Sequence, residues 1–112
     1  MRSITLAAAI VLGTCSLATA QDAKVSRGEK VFTDQKCSLC HSIGGHGNAK
    51  GPLDDVGSKL SAADIKAWLR TPKEMTAKAK AARKPPMPAY GKDKIPDADL
   101  DALTAYLSSL KK

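Results

Sequence analysis

The chain has 112 residues, of which 18 are basic and 11 acidic, so its formal net charge is +7. A chain of this length accommodates one domain. No apolar run reaches the roughly 18 residues that a membrane-spanning helix requires, and a charged fraction of 26% is ordinary for a globular protein. These features argue against a multidomain enzyme, a polytopic membrane protein and a long disordered tail.

The first twenty residues have the pattern of a secretory signal peptide. Arg2 supplies a positive charge, residues 4–12 are almost wholly apolar, and residues 18–20 offer the small side chains of a cleavage site. We therefore expect cleavage of residues 1–20 and export of a basic domain, residues 21–112, to the periplasm. An uncleaved N-terminal anchor is the alternative.

The cysteine count depends on this cleavage. Cys15 would leave with the signal peptide, so that the exported domain keeps only Cys37 and Cys40. A lipoprotein modified at Cys15 is disfavoured, because Thr14 stands where a smaller residue is expected. A single cysteine pair three positions apart closes too short a loop to stabilise a small exported domain well.

The first predicted helix of the exported domain begins at Asp22, which could cap it, and runs for about a dozen residues. It would turn Val25, Gly28 and Phe32 toward the core. A glycine inside a helix costs about 1 kcal/mol relative to alanine. Either another helix approaches Gly28 closely, or the glycine is merely tolerated.

Residues 37–41 read Cys-Ser-Leu-Cys-His, the C-x-x-C-H pattern of covalent haem attachment. Two cysteines at this spacing can present both sulfurs to the vinyl groups on one edge of a porphyrin, and the adjacent histidine can turn its imidazole toward the iron. Neutral imidazole is a strong iron ligand. The pattern predicts one haem c bound covalently to Cys37 and Cys40, with His41 as an axial ligand.

Three other uses of these residues stay open. A thioredoxin-like redox pair would require a strand–helix–strand context, and no alternating β-branched run is present. A zinc site could recruit His46 as a fourth ligand, although adjacent Cys40 and His41 would strain a tetrahedral arrangement. A plain disulfide between Cys37 and Cys40 is the third. His46 itself lies in a glycine-rich stretch, where we expect it to be exposed to solvent.

Three more elements are predicted downstream of the motif. Residues 42–57 are rich in glycine and form a loop, in which no strand is expected. A capping box at residues 61–64 begins a short helix. Pro72, at a first helical position, starts another helix, which must end before Pro85.

The last predicted helix begins near Pro96 or Asp97. The charges at its two ends interact favourably with the helix dipole, because acidic residues lie toward its start and Lys111 and Lys112 lie at its end. Its apolar residues recur at helical spacing. They are Leu100, Leu103, Tyr106, Leu107 and Leu110.

The sixth iron position requires a second axial ligand, for which the exported domain offers Met75 and Met87. Met75 lies in the helix that starts at Pro72, and we expect it to pack in the core. Met87 has prolines on both sides, which prohibit helix and make the segment extended. A stiff segment can hold a thioether on iron with little loss of conformational entropy, so we predict Met87 as the second axial ligand.

With these motifs the chain resembles the class I c-type cytochromes over the whole of residues 21–112. The resemblance implies an all-α fold, a small cytochrome c fold of three to five helices wrapped around one covalently bound haem, in which the terminal helices cross. The residues that carry it are Cys37, Cys40, His41, Gly51-Pro52, Met87-Pro88-Ala89-Tyr90, Gly28 with Phe32, and Leu103 with Tyr106.

The resemblance also implies roles for three further residues in haem binding. The carbonyl of Pro52 would accept a hydrogen bond from the His41 imidazole, and Tyr90 would belong to the ligand loop. The indole of Trp68 would hydrogen-bond a haem propionate, with packing alone as an equal alternative. Because apolar side chains are few, we expect the haem to form the centre of the core.

A haem iron with both axial positions closed has no site for oxygen or substrate, so we expect a one-electron carrier and not an enzyme. The alternative is a haem enzyme subunit or a gas-binding cytochrome with a labile sixth ligand.

Basic residues cluster before the ligand loop and could steer acidic redox partners (a dehydrogenase, an oxidase or a membrane cytochrome complex), although a solvated helix face is the ordinary interpretation. We expect a monomer with no nucleic-acid binding and no stable membrane insertion. The cluster consists of Lys73, Lys78, Lys80, Arg83 and Lys84.

Overall fold

The computed structural model describes residues 16–112, and this part of the chain is mostly helical. A 3-10 turn at Cys37–Leu39 and a two-stranded antiparallel sheet lie between the first two helices. The expected all-α fold of three to five helices is confirmed. The helices are α1 (Ser16–Asp34), α2 (Val56–Lys59), α3 (Ala62–Arg70), α4 (Pro72–Ala79) and α5 (Asp97–Ser108), and the strands are β1 (Ser42–Ile43) and β2 (His46–Gly47).

The small sheet corrects the expectation that residues 42–57 hold no strand. Ile43 pairs with His46 across a two-residue turn formed by Gly44 and Gly45. Both glycines have positive φ values, 59° and 82°, which is the conformation that two-residue hairpin turns demand. The Gly-Gly pair was therefore a hairpin signal within a segment that composition alone marks as loop.

Helix α1 already includes Ser16, the first described residue, six residues before the predicted start at Asp22. Residues 16–24 contain neither glycine nor proline and are rich in alanine, so nothing in them stops the helix. Residues 19–24 are exposed, and within residues 19–34 the first buried residue is Gly28. Cleavage after Ala20 stays a prediction, and most of the predicted signal peptide lies outside the described residues.

Helices α1 and α5 cross at Gly28, as the glycine in the helix interior had suggested. A side chain at this position would collide with the carbonyl of Ala102 and with Cβ of Tyr106. One turn further along, the rings of Phe32 and Tyr106 meet edge to face, with centroids 6.1 Å apart and planes at 72°. The absence of a Cβ therefore lets the two backbones touch, which outweighs the low helix propensity of glycine.

Local sequence signals set the bounds of α3 and α4. The Ser61 hydroxyl accepts a hydrogen bond from the Asp64 backbone N–H at 3.1 Å, which confirms the predicted cap. Helix α4 starts at Pro72 as expected and ends at Ala79, because Lys80 adopts the left-handed conformation with φ of 52°. The helix thus stops well before the prolines that were expected to limit it.

Helix α5 starts at Asp97 as predicted but ends at Ser108. Lys111 and Lys112 lie beyond its last turn, so the expectation that they complement its dipole is wrong, since that effect fades within one turn. The end of the chain is instead tied to the segment before α2, because the Lys112 backbone N–H donates to the Asp55 carboxylate at 2.9 Å.

The hydrophobic core lies where α1, α3 and α5 meet, and the segment before α5 contributes to it. Ile95 and Leu103 are fully buried. None of the helices in residues 16–112 is long and apolar enough to cross a membrane. The buried apolar side chains that form one packed cluster are Val31, Phe32, Ile65, Leu69, Ile95, Leu100, Leu103 and Leu107.

Candidate functional site

A cavity of about 310 Å³ opens beside this core, and every helix contributes to its wall. The wall is mostly apolar, and several of its side chains also belong to the hydrophobic core, so cavity and core are one continuous structure. Representative wall residues, one for each of the five helices, are Phe32, Val56, Leu69, Thr76 and Leu103.

One part of the wall is the Cys-x-x-Cys-His motif. The 3-10 turn that begins at Cys37 folds the motif tightly, with the N–H groups of Cys40 and His41 both donating to the Cys37 carbonyl at 3.2 and 3.0 Å. All three side chains line the cavity and are half-buried. The turn thus brings two sulfurs and an imidazole to the same wall.

Cys37 and Cys40 are not paired in a disulfide. Burial, helped by the neighbouring Cys40, raises the pKa of the Cys37 thiol to about 11. A thiol with a raised pKa lacks the thiolate character of a redox-active cysteine. His46 is exposed on β2 and does not line the cavity, so the four ligands of the zinc alternative are not assembled.

The His41 imidazole is held through one of its two ring nitrogens. Nδ1 donates to the carbonyl of Gly51 at 3.0 Å. Burial lowers the pKa of His41, and the positive charge of Arg83 acts in the same direction against the opposing effect of the Gly51 hydrogen bond. The lowered pKa favours the neutral ring, in which Nε2 is the nitrogen left to bind a metal.

The predicted acceptor for this histidine, the Pro52 carbonyl, is wrong by one residue. Ser42 and Pro52 form a parallel β-bridge, in which Ser42 N–H donates to the Gly51 carbonyl at 3.1 Å. Successive carbonyls of an extended chain point to opposite sides. The carbonyl that faces the histidine segment is therefore that of Gly51, and the one that follows it points away.

Met87 reaches the same cavity from the segment between α4 and α5. The proline segment, defined here as residues 84–90, carries three prolines around Met87, whose half-buried side chain packs on the core. Met75, on α4, is also half-buried but does not line the cavity. The structure thus brings only Met87, of the two methionines in residues 21–112, to the wall that the motif shares.

The other two predicted side chains, Trp68 and Tyr90, also line the cavity. Burial, together with the nearby cysteine sulfurs, raises the pKa of the Tyr90 hydroxyl. The hydrogen bond from Trp68 to a haem propionate stays a prediction.

Sequence reasoning missed a stretch of wall on and around α2. Leu53, Val56 and Leu60 line the cavity. Their spacing of three and four residues is that of one helix face. This periodicity could have shown that the end of the glycine-rich segment folds back onto the site.

The donor set fits haem c: two thiols one turn apart, a neutral imidazole next to them and a thioether from a distant segment meet at one apolar cavity. A helical fold built around such a cavity is that of a haem-binding protein. Residues 25–111 match the family model described as Cytochrome c. The chain belongs to the cytochrome c family, whose members bind covalently attached haem c, and the Cys37–Cys40 spacing is the one this attachment uses.

The chain is also similar to part of a larger protein. It is 33% identical over 95 residues to cytochrome c oxidase subunit 2 of Alkalihalophilus pseudofirmus, in an alignment that covers 77% of this chain. The chain spans only about a quarter of the length of that curated relative. No solved structure matches the chain.

Proposed function

We propose that the chain is a periplasmic monohaem cytochrome that carries one electron at a time between redox proteins. Cys37 and Cys40 would form the two thioether bonds, and His41 Nε2 and the Met87 sulfur would be the axial ligands. The observation that carries the proposal is that these four side chains, from two distant segments, line one apolar cavity. Haem c, when bound, supplies an iron that cycles between Fe(II) and Fe(III).

The surrounding residues would prepare the site for electron transfer and not for substrate chemistry. The Gly51 carbonyl, 3.0 Å from Nδ1, fixes the orientation of the His41 ring and makes it a better electron donor. The apolar wall keeps water from the cavity, and a thioether ligand favours the reduced iron. With His41 and Met87 both bound, no coordination position is left for oxygen or a substrate.

The assignment of Met87 is tested by optical spectroscopy of the oxidised and reduced protein. The oxidised protein should show the weak thioether-to-iron band at the red end of the spectrum, and Met87→Ala should abolish it. Met75→Ala is the matched control, because Met75 does not line the cavity, and this variant should keep the band. An unchanged spectrum in Met87→Ala, or rapid carbon monoxide binding by the native reduced protein, would favour the gas-binding or enzyme alternative.

Export and haem attachment have their own test. Mass spectrometry of the exported protein should give a chain that begins at Gln21 and carries one haem. Cleavage there would remove no side chain of the described core, since residues 19 and 20 are exposed and the first buried residue from position 19 onward is Gly28. A bare polypeptide, or a chain that keeps residues 1–20, would contradict the haem assignment or the export assignment respectively.

The basic cluster supports an acidic redox protein as the partner. Its five side chains, named above, are all exposed on α4 and the segment that follows, with Glu74 as the one acidic residue among them. Arg83 also lines the cavity, so this positive surface adjoins the haem site. Opposite charges accelerate association and salt screens them, so the rate of electron transfer to an acidic redox protein should fall as ionic strength rises.

A pair of charge-reversal variants locates this surface. Lys80→Glu should slow the low-salt reaction several-fold, whereas Lys24→Glu should change it less, because Lys24 is exposed on α1 about two helical turns before the cavity residue Phe32. Equal effects of the two substitutions would show that only net charge matters.

The likeness to an oxidase subunit favours a second function, in which the cytochrome delivers electrons as part of a larger oxidoreductase. The relative is named cytochrome c oxidase subunit 2, and its matched part is a quarter of its length. A free carrier should elute as a monomer from gel filtration of the native extract. Elution of the haem protein with a terminal oxidase, stable in high salt, would favour the subunit role.

A further inference from the structure

Among the described residues, the proline segment that carries Met87 is hydrogen-bonded to the rest of the protein only at its last residue, Tyr90, and the nearest bond on the other side is from the Ala81 N–H to the Thr76 carbonyl at 3.1 Å. Within residues 16–112, no hydrogen bond or ion pair involves residues 82–89. The first anchored residue after Met87 is Tyr90, whose backbone N–H donates to the Leu69 carbonyl at 2.9 Å. The position of the thioether therefore depends on how firmly Tyr90 is held.

A second bond to Tyr90 comes from Arg70, the next residue of α3. Its Nη1 donates to the backbone carbonyls of Tyr90 and Ile95, each at 2.8 Å. Its Nη2 donates to the Asp97 carboxylate at 3.0 Å, and only 20% of the Arg70 side chain is exposed. One guanidinium thus joins α3, the end of the proline segment, the fully buried Ile95 and the first residue of α5.

We propose that Arg70 is the positioning residue for the axial thioether of Met87. This inference rests on the proposed function, in which Met87 binds the haem iron. Leu69 and Arg70 hold the two polar groups of the Tyr90 backbone, and Asp97 orients the guanidinium that makes the second bond. Only two residues, Ala89 and Pro88 with its restricted φ, separate Met87 from the clamped Tyr90, so the clamp sets where the sulfur can lie.

The competing explanation is that Arg70 only stabilises the start of α5. A comparable ion pair at the start of α5 distinguishes these two explanations. Arg27 donates to Asp99, also in the first turn of α5, through Nε at 3.1 Å and Nη2 at 2.9 Å. This arginine makes no contact with the proline segment in any hydrogen bond or ion pair of the described residues, and 59% of its side chain is exposed.

The test is the competition between Met87 and added imidazole for the iron of the oxidised haem protein. A hydrogen bond from a charged donor is worth roughly a factor of ten or more in an equilibrium constant. Arg70→Met should therefore raise the affinity for imidazole about tenfold and weaken the thioether-to-iron band. Arg70→Lys keeps the charge but loses the second nitrogen, through which Asp97 orients the guanidinium, and should give a smaller increase. Arg27→Met should leave affinity and band unchanged.

The controls distinguish the possible failures. Wild-type affinity for imidazole in Arg70→Met, or an equal increase in Arg70→Met and Arg27→Met, would overturn the role of Arg70. If Arg70→Met does not yield folded haem protein, Arg70→Lys decides, and wild-type affinity in that variant would also overturn it. A wild-type spectrum in Met87→Ala would instead refute the ligand assignment of the proposed function.

Discussion

The close contact between α1 and α5 makes Gly28→Ala the sharpest test of the fold. The added methyl carbon would meet the carbonyl oxygen of Ala102, its carbonyl carbon at 2.6 Å and Cβ of Tyr106 at 2.7 Å. None of these atoms is the end of a flexible side chain, so the helices must move apart. Overpacking typically costs about 1–3 kcal/mol, and the higher helix propensity of alanine offsets about 1 kcal/mol of this.

Because the new methyl carbon would clash with three atoms at once, we take the upper end of that range and expect Gly28→Ala to lower the free energy of unfolding by about 2 kcal/mol. For a domain of this size, each kcal/mol corresponds to roughly 4–8 °C in Tm. Chemical unfolding of the haem protein, followed by circular dichroism, measures the loss. The exposed Ser26, two residues away on the same helix, provides the control, since Ser26→Ala should be neutral or slightly stabilising. A Gly28→Ala protein as stable as the wild type would refute the close crossing of these helices.

Three further predictions follow from local contacts. Ser61→Ala should cost about 1 kcal/mol because the cap of α3 is lost, and an unchanged urea midpoint would contradict this. The hydrogen bond and charge of Lys66 hold the pKa of Asp101 below its ordinary value of 3.8, so ionised Asp101 stabilises the fold above that pH and the stabilisation disappears as the pH falls through the lower folded-state pKa. Asp101→Asn should accordingly weaken the acid dependence of unfolding, and parallel pH curves for the two proteins would count against the pairing. The double variant Cys37→Ser, Cys40→Ser cannot attach haem and should be largely unfolded, because the cavity wall is core surface left without its partner; near-native helicity by circular dichroism would disprove this.

Features encoded by short-range patterns were predictable from the sequence. The cap at Ser61, the proline start of α4 and the apolar face of α5 depend on neighbours within one or two helical turns, and all three are confirmed. The meeting of Met87 with the Cys-x-x-Cys-His motif was predictable for another reason. Few residue types bind haem iron, so chemistry restricted the choice where local pattern could not.

Features set by contacts between distant segments were not predictable. The choice of Gly51 over Pro52 as the acceptor for His41 depends on the orientation of one peptide group in a β-bridge. Likewise, Ile95 is surrounded by charged and proline residues in the sequence, yet it is fully buried. Arg70 reads as an ordinary basic residue at the end of a helix, and its bonds to two distant carbonyls follow only from how the chain folds around it.

The shared wall of cavity and core has a consequence for how this cytochrome can be tuned. Phe32, Leu69 and Leu103 hold the helices together and also face the cavity, so the same methyl groups and rings govern melting behaviour and the local dielectric around the iron. Dielectric and solvent exposure are among the main determinants of a haem midpoint potential. Variants that loosen these contacts should shift potential and thermal resistance together, which makes a simple melting screen a first filter for redox-altered proteins.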